Sequence, residues 1–308
     1  MSLLRRRLSL LLLLCLLLTL PSLASERKVF FSYEVPPLGA YEDLLHVYVA
    51  DLLGADSMLL VQGEHSMLLD MGVEAHAPRI HAMLQDLGFD HITHAFNTHP
   101  HGDHLGGLPP LLEVLTFGSF YTAFPLDLHE RGLRQRAVVP LVQAKGIPIH
   151  QVSHGDVIDL GAAQLTVFHQ PQAESINGQS AMLQARFGDS TILFTADVDL
   201  PAMFRFGMEH DLKSDILKAP HHGLGMLSPV FLDSVDPEYA FFTHGSANNK
   251  RMQVQLSARE AEYSFATWGI IHLSTDGEVW RVDQDIGPEY ERAAHGYGMQ
   301  ARLERTAP

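Results

Sequence analysis

The ten-residue stretch Thr98 to Gly107, with the sequence THPHGDHLGG, constrains this chain most. Within it lie three histidines and one aspartate: His99, His101, Asp103 and His104. Its proline and glycines favour a tight loop, whereas no regular helix or strand would put all four side chains on one face. The run before it, His91 to Asn97, alternates and predicts a strand that delivers the loop. Imidazole and carboxylate groups are good zinc ligands, so the stretch predicts a metal site rather than a histidine-rich surface loop.

The stretch resembles the H-x-H-x-D-H signature of the metallo-β-lactamase superfamily, and the resemblance covers about Leu45 to Asp283. It implies an α/β fold, an αββα sandwich of two mixed β-sheets flanked by helices, with the metal loop at one edge. It also implies two divalent metal ions, with zinc as the first choice and manganese or iron as alternatives. The metal ligands that it implies are His99, His101, Asp103, His104, Asp197 and His222.

Two aspartates at strand ends carry further motifs of this signature. Asp70 ends an apolar run before Met71-Gly72, and Asp197 follows the apolar run Thr191 to Thr195. Each residue alone would be a plain strand cap. In the superfamily, the first aspartate supports a metal-bound histidine through a hydrogen bond, and the second bridges both metals.

The segment Ser214 to Gly223 ends a predicted strand in the run His221-His222-Gly223, which begins 24 residues after Asp197. It resembles a branch of the superfamily that contains ComEC-like DNA-uptake competence proteins and the choline-phosphate esterases of bacterial surfaces. Val49 to Ser57 and Asn248-Asn249 also resemble that branch. We expect His222 to be the ligand and His221 to be a donor that faces a phosphate, with the reverse assignment left open. His244 follows another predicted strand and is either the last ligand, as in other branches, or a substrate-side residue.

The third motif departs from the superfamily pattern, because Ala173 stands where many members have a histidine. His169, Asn177 and Ser180 are the candidates for the missing ligand, and the site is also compatible with none of them. The first metal then has only His99, His101 and Asp197 from the protein, which predicts weaker binding there than at the second metal.

Residues 1–24 have the pattern of a secretory signal peptide, with Arg5 to Arg7, a leucine-rich run and small residues before a cut after Ala24. An uncleaved N-terminal anchor is the alternative. The remaining chain divides into a leader at 25–40, a hydrolase domain at 41–285 and a C-terminal tail at 286–308. We therefore expect a secreted or periplasmic protein with no stable membrane span after cleavage.

Composition limits the chemistry and the partners. Cys15 is the only cysteine and lies in the predicted signal peptide, so the mature protein would have neither disulfides nor thiolate ligands. The formal net charge is −15, and removal of the three arginines of residues 1–24 makes it −18. Such a charge disfavours nucleic acid as a partner.

The expected activity is metal-dependent hydrolysis. Two bound metals lower the pKa of a shared water, and the bridging hydroxide attacks without a protein nucleophile. Asp103 and His221 are assigned catalytic roles. The resemblance of the His221-His222-Gly223 run favours phosphodiesters, with a small-molecule or surface-polymer phosphoester as substrate. The alternatives are hydrolysis of a carbonyl ester, a lactone or a β-lactam, and a secreted metal-binding protein without activity.

Apolar periodicity predicts the elements around the metal loop. Strands are expected at residues 44–50, 57–62 and 66–70, and a helix is expected at residues 77–87. A second helix is expected over Leu128 to Ala144. The turn Gly188-Asp189 between two apolar runs predicts a β-hairpin.

Overall fold

The computed structural model describes residues 27–245 and 249–284. The predicted signal peptide with its cleavage site, Asn248 and the predicted tail lie outside these residues. Within them, no helix combines the length and the apolar character needed to cross a membrane.

Sixteen strands and seven α-helices make up the described part of the chain. The strands are β1 (Val29–Phe31), β2 (Leu45–Val49), β3 (Met58–Gln62), β4 (His65–Leu69), β5 (His91–Asn97), β6 (Thr116–Thr122), β7 (Ile149–Gln151), β8 (Val157–Leu160), β9 (Ala163–Phe168), β10 (Met182–Phe187), β11 (Ser190–Phe194), β12 (Ile216–Lys218), β13 (Tyr239–Phe242), β14 (Glu262–Phe265), β15 (Ile271–Thr275) and β16 (Trp280–Gln284). The helices are α1 (Ala77–Asp86), α2 (Gly102–Leu105), α3 (Leu108–Leu111), α4 (Gln135–Ala144), α5 (Leu200–Glu209), α6 (Pro229–Val235) and α7 (Lys250–Ser257).

The strands form two mixed sheets. The first has nine strands in the order β1-β16-β15-β2-β3-β4-β5-β6-β7, and the second has seven in the order β14-β13-β12-β11-β10-β9-β8. Apolar side chains of both sheets, such as Leu60 and Ile192, share one buried cluster, so the sheets pack face to face. Helices α1 and α4 contribute to a second cluster on the first sheet, and α5 and α6 to a third on the second sheet. The predicted αββα sandwich is therefore confirmed.

Local patterns located most elements correctly, and the structure corrects two expectations. The hairpin across Gly188-Asp189 is confirmed, because β10 and β11 pair antiparallel. The helix expected over Leu128 to Ala144 was wrong in its first half, because Gly132 has φ +89° and α4 begins only at Gln135. The metal stretch includes the single helical turn α2 rather than loop alone. The predicted leader contributes strand β1, which pairs parallel with β16.

Two histidines far apart in sequence form a pair in the first sheet. His46 Nε2 donates to the carbonyl oxygen of Tyr41 at 2.9 Å, so in the neutral ring Nδ1 accepts, and His272 Nε2 donates to it at 2.9 Å. The His272 ring stacks on Tyr48 with centroids 4.3 Å apart. Burial lowers the pKa of both imidazoles, and it lowers the pKa of His272 to about 4. The fold therefore holds both rings neutral.

This pair predicts a loss of stability in mild acid. Between pH 6.5 and about 4 the unfolded chain binds more protons at His272 than the folded chain does, so the free energy of unfolding falls as pH falls. Between pH 7 and pH 5 the free energy of unfolding should fall in both proteins. We expect the fall in His272→Gln to be roughly 1–2 kcal/mol smaller than in the unsubstituted protein. Urea unfolding with excess chelator measures both losses. Equal pH dependence in the two proteins would contradict this account.

Candidate metal centre

The candidate site lies where several strands end at one edge of the sandwich. Strands β4 and β5 are parallel neighbours in the first sheet, and β11 and β12 are parallel neighbours in the second. The carboxyl ends of parallel strands meet at one edge of a sheet. Asp70 follows β4, the metal stretch follows β5, Asp197 follows β11 and His222 follows β12. The topology therefore gathers the predicted motifs.

At this edge several residues have positive φ, a backbone conformation that residues other than glycine rarely adopt. Asp70, Ala196, His221 and His222 have φ between +47° and +56°. They are four of the six residues other than glycine that have positive φ in the described part of the chain. Residues in this region cost of order 1–3 kcal/mol each and occur mostly at functional sites. The strain is thus concentrated where the strands present their polar ends.

Asp70 organises the metal stretch. Its carboxylate accepts hydrogen bonds from the backbone N–H of Thr98 at 2.9 Å and from the Thr98 hydroxyl at 2.7 Å. It also accepts from Nδ1 of His104 at 2.7 Å. Asn97 donates to Asp70 at 3.2 Å and to the carbonyl oxygen of His99 at 2.8 Å. In the neutral ring the proton is on Nδ1 of His104, which leaves Nε2 with a lone pair that points away from Asp70.

Asp56 orients the His222 ring in the way that Asp70 orients the His104 ring, by accepting a hydrogen bond from Nδ1. Its Oδ1 accepts from Nδ1 of His222 at 2.9 Å and from the Thr243 hydroxyl at 2.6 Å. Asp56 precedes strand β3, and 166 residues separate it from His222. The two histidines of the site are therefore oriented by two different buried carboxylates.

Four side chains form a cluster of potential metal ligands in the described residues: Asp56, His104, Asp197 and His222. Each offers one ligand atom, and these atoms lie within 4.8 Å of one another. Nε2 of His104 lies 3.3 Å from Oδ1 of Asp197, and Nε2 of His222 lies 3.5 Å from its Oδ2. These two nitrogens and Asp197 Oδ1 are buried without hydrogen-bond partners. Because unpaired buried polar atoms are costly, such a donor set fits a divalent cation.

The other predicted ligands lie near Asp197 and near the imidazole ring of His222. Nε2 of His99 lies 3.8 Å from Asp197 Oδ2, and it lies 3.0 Å from Nδ1 of His101. Asp103 Oδ2 lies 3.4 Å from Nε2 of His222. Asp197 thus has His104 near Oδ1 and both His99 and His222 near Oδ2, which puts its carboxylate among predicted ligands of both ions.

Electrostatics at the site favour added positive charge. Burial disfavours a charged His104 ring, yet Asp197 and Asp70 raise the pKa of this histidine well above its ordinary value. For His222, Asp197 and Asp56 likewise outweigh burial and raise the pKa to about 9. The carboxylates therefore stabilise protons on the two imidazole rings, and a metal ion would displace these protons. Metal binding should then release protons and become stronger as pH rises.

Burial and the neighbouring His104 act in the opposite direction on His99. They lower its pKa well below the ordinary value, so its imidazole is neutral and carries a lone pair. The pKa of the half-buried His101 is also lowered, mainly by burial. Both rings are in the protonation state that metal coordination requires.

His221 and His244 lie at the edge of this cluster. The His221 side chain is 45% exposed, and its Nε2 lies 3.8 Å from Asp197 Oδ2. His244 lies outside the ligand cluster, with its ring against Gly54, where an added Cβ would be 2.7 Å from Cδ2 of the ring. The geometry brings His222 rather than His244 together with the other predicted ligands.

The candidates for the missing third motif remain open after the structure. His169 Nε2, Asn177 Oδ1 and Ser180 Oγ are all buried without a hydrogen-bond partner among the described residues. Ser180 is tied to the metal stretch through its neighbour, since the Ala181 N–H donates to the Thr98 carbonyl oxygen at 2.9 Å. This contact makes Ser180 the first of the three to test.

Two site residues were not assigned a role from the sequence, Asp56 and Lys218. Lys218 is fully buried at the end of β12, and its ammonium group forms an ion pair with Asp56. The same group donates to the carbonyl oxygen of Ala196 at 2.9 Å and lies 3.8 Å from Asp197. Burial alone would raise the pKa of Asp56, but Lys218 and His222 hold it below the ordinary value. The only sequence signal was their position beside apolar strands, which many surface residues share.

Comparison with known proteins bears on this geometry. The family model described as the Metallo-beta-lactamase superfamily matches residues 50–244, more than half of the chain. The chain belongs to the metallo-β-lactamase superfamily. No curated protein sequence matches it. Members of this superfamily are mostly metal-dependent hydrolases, and the clustered histidines and aspartates agree with a metal-binding member.

Solved structures with the same fold are distant in sequence. The metallo-beta-lactamase fold protein YhfI from Bacillus subtilis is 14% identical with a TM-score of 0.50, over 73% of this chain and 96% of that chain. CmlA, a diiron β-hydroxylase from Streptomyces venezuelae, is 12% identical with a TM-score of 0.49, over 80% of this chain and 55% of that chain. A diphosphatase of the PhnP family is 15% identical with a TM-score of 0.46, over 75% of this chain and 98% of that chain. At such identities the likeness concerns the fold alone.

Proposed function

We propose that this superfamily member is an exported, dinuclear metallohydrolase that cleaves phosphodiesters. The observation that carries the proposal is the donor set around Asp197, in which Nε2 of His104 and Nε2 of His222 are buried and unpaired. Zinc is the first choice of metal, with manganese or iron as alternatives. When bound, such ions supply Lewis-acid stabilisation of phosphoryl oxygens and activation of water.

The proposed division of ligands follows the resemblance to the superfamily, with Asp197 shared between the two ions. His99, His101 and Asp197 would hold the first ion, and the second would be held by Asp103, His104, Asp197 and His222. Asp70 and Asp56 keep the Nδ1 protons of His104 and His222 in place, so the Nε2 atoms of the neutral rings would be free to bind the second ion. The Asp103 side chain is 35% exposed, which suits a role at the boundary between the metal and the substrate.

His221 is the proposed donor to the substrate. Its exposed ring and the 3.8 Å separation from Asp197 put Nε2 at the open side of the cluster, where it could donate to a phosphoryl oxygen. The resemblance of the His221-His222-Gly223 run to the ComEC-like and choline-phosphate esterase branch supports a phosphodiester. A small-molecule or surface-polymer phosphoester is the proposed substrate class, and the net charge of −15 argues against nucleic acid.

A chromogenic panel on metal-loaded protein tests this function. We expect hydrolysis of bis-p-nitrophenyl phosphate, with little hydrolysis of nitrocefin or of a lactone, and loss of activity in Asp197→Asn. A preference for nitrocefin or the lactone would instead favour the carbonyl-substrate alternative. A fully loaded protein without turnover of any substrate would favour a non-catalytic metal-binding protein.

Export is a separate proposal, based on the order of arginines, leucines and small residues in residues 1–24. We expect the mature protein to begin near Ser25, because cleavage follows the small residue Ala24. N-terminal sequencing of the protein from a bacterial host that recognises the signal measures this directly. An intact Met1 on soluble protein retained in the cytosol would refute it.

A further inference from the structure

An arginine whose side chain has no hydrogen-bond or ion-pair partner among residues 27–245 and 249–284 lies against the metal stretch. A Cβ atom built on Gly102 would be 3.6 Å from Nε of Arg134 and 4.0 Å from its Nη2. Gly102 separates two predicted ligands, His101 and Asp103. A Cβ atom here would only touch the guanidinium group at ordinary van der Waals distance, so the Arg134 side chain lies directly beside the loop that carries the predicted metal ligands.

The backbone fixes Arg134 at this place. Its N–H donates to the carbonyl oxygen of Pro100 at 2.8 Å, and it is the residue that precedes the ten-residue helix α4. The next residue, Gln135, is fully buried and anchors the helix in the protein interior. The position of Arg134 relative to the metal stretch is therefore set by the fold, while its side chain is exposed to solvent.

The guanidinium group has no structural task in the described residues. None of the ion pairs or side-chain hydrogen bonds found there involves the Arg134 side chain, although acidic residues far outnumber basic ones in the chain. An arginine offers several N–H donors in a planar fork that matches a carboxylate or a phosphate. A permanently charged, unpaired group beside the metal stretch is thus available to a ligand.

We propose that Arg134 binds a second anionic group of the substrate and so selects phosphodiesters that carry a further carboxylate or phosphate. This inference rests on the proposed phosphodiesterase function. The scissile phosphate faces the metals, and Arg134 contacts the substituent that extends toward solvent past Gly102. A substituent with a quaternary ammonium group, as in phosphocholine, meets repulsion at the same place.

A matched substrate series tests the proposal. The p-nitrophenyl phosphodiesters of 3-hydroxypropionate, ethanol and choline carry an anionic, a neutral and a cationic substituent and release the same chromophore. We expect kcat/KM to fall in that order, mainly through KM. In Arg134→Gln the preference for the anionic over the neutral substrate should drop about tenfold, with the neutral substrate little affected.

Arg136→Gln is the control, because it removes the same charge from an exposed position two residues along the chain. It should retain the order of the three substrates. An equal loss in both variants would show a general charge effect and overturn the proposal. An equal loss for all three substrates in Arg134→Gln would place the arginine on the scissile phosphate, which also overturns it.

Equilibrium binding separates this inference from the proposed function. Calorimetry with metal-loaded protein compares 3-phosphonopropionate with propylphosphonate, neither of which is hydrolysed. We expect tighter binding of the carboxylate-bearing ligand, and loss of that difference in Arg134→Gln but not in Arg136→Gln. If no phosphodiester is cleaved and the binding difference is present, the proposed function fails and the anion site stands. If phosphodiesters are cleaved and no binding difference exists, the anion site fails alone.

Discussion

Replacing His222 by alanine is expected to lower the metal content by about one ion per chain and to lower turnover by at least two orders of magnitude. The reason is that Nε2 of His222 lies 3.5 Å from Asp197 and 3.4 Å from Asp103, where it completes the proposed second metal site. Without the ring, Asp56 also loses the donor that it holds at 2.9 Å. Elemental analysis and phosphodiester turnover on the same preparation measure both effects.

Two neighbouring histidines serve as controls for this substitution. His221→Ala should retain both ions and slow turnover about 10²–10³-fold, because a donor to the developing phosphoryl charge is lost. His244→Ala should retain both ions with a smaller effect on turnover, since its ring lies outside the ligand cluster. Loss of a metal in His244→Ala with both metals kept in His222→Ala would show that the assignment of the last ligand is wrong.

Replacing Lys218 by methionine is expected to cause the largest loss of stability of any single substitution at this site. Lys218 and Asp56 are both fully buried and form an ion pair, so removal of the ammonium leaves the buried carboxylate with only His222 and the Thr243 hydroxyl as partners. Breaking a buried pair in this way costs roughly 3–5 kcal/mol. Urea unfolding of the metal-depleted protein in excess chelator gives the change in the free energy of unfolding.

Lys213→Met is the matched control, because Lys213 forms a comparable ion pair with Asp236 at 2.8 Å in which both side chains are more than half exposed. Exposed pairs of this kind contribute at most about 1 kcal/mol. Adding Asp56→Asn to Lys218→Met should recover part of the stability, since the buried negative charge that lost its ammonium partner is then removed. An equal cost for the two lysine substitutions would contradict the proposed importance of the buried pair.

The parts of the site that were predictable from the sequence are those that depend on contiguous residues. The metal stretch follows strand β5, which has the predicted bounds His91–Asn97, and Asp197 and His222 follow short apolar strands as expected. Apolar alternation and turn residues act over a few positions, so they can be read along the chain. The same local reasoning missed the turn at Gly132 and extended helix α4 too far toward the N-terminus.

The parts that could not be predicted depend on contacts between distant residues. Asp56 meets His222 across 166 positions, and His46 meets His272 across 226. Nothing around Asp56 distinguishes a carboxylate that orients a histidine from one that caps a strand. Lys218 was an unexpected charge at the end of a buried strand, and its partner became clear only when both sheets were in place.

Metal stoichiometry during stepwise dialysis against a chelator tests the central claim most directly. The account predicts two divalent ions per chain at saturation, lost in two phases. The ion held by His99, His101 and Asp197 leaves first, because it has fewer protein ligands than the ion held by Asp103, His104, Asp197 and His222. Elemental analysis at each step measures the loss. A single tightly held ion, or a protein that binds no divalent metal, would contradict the dinuclear centre.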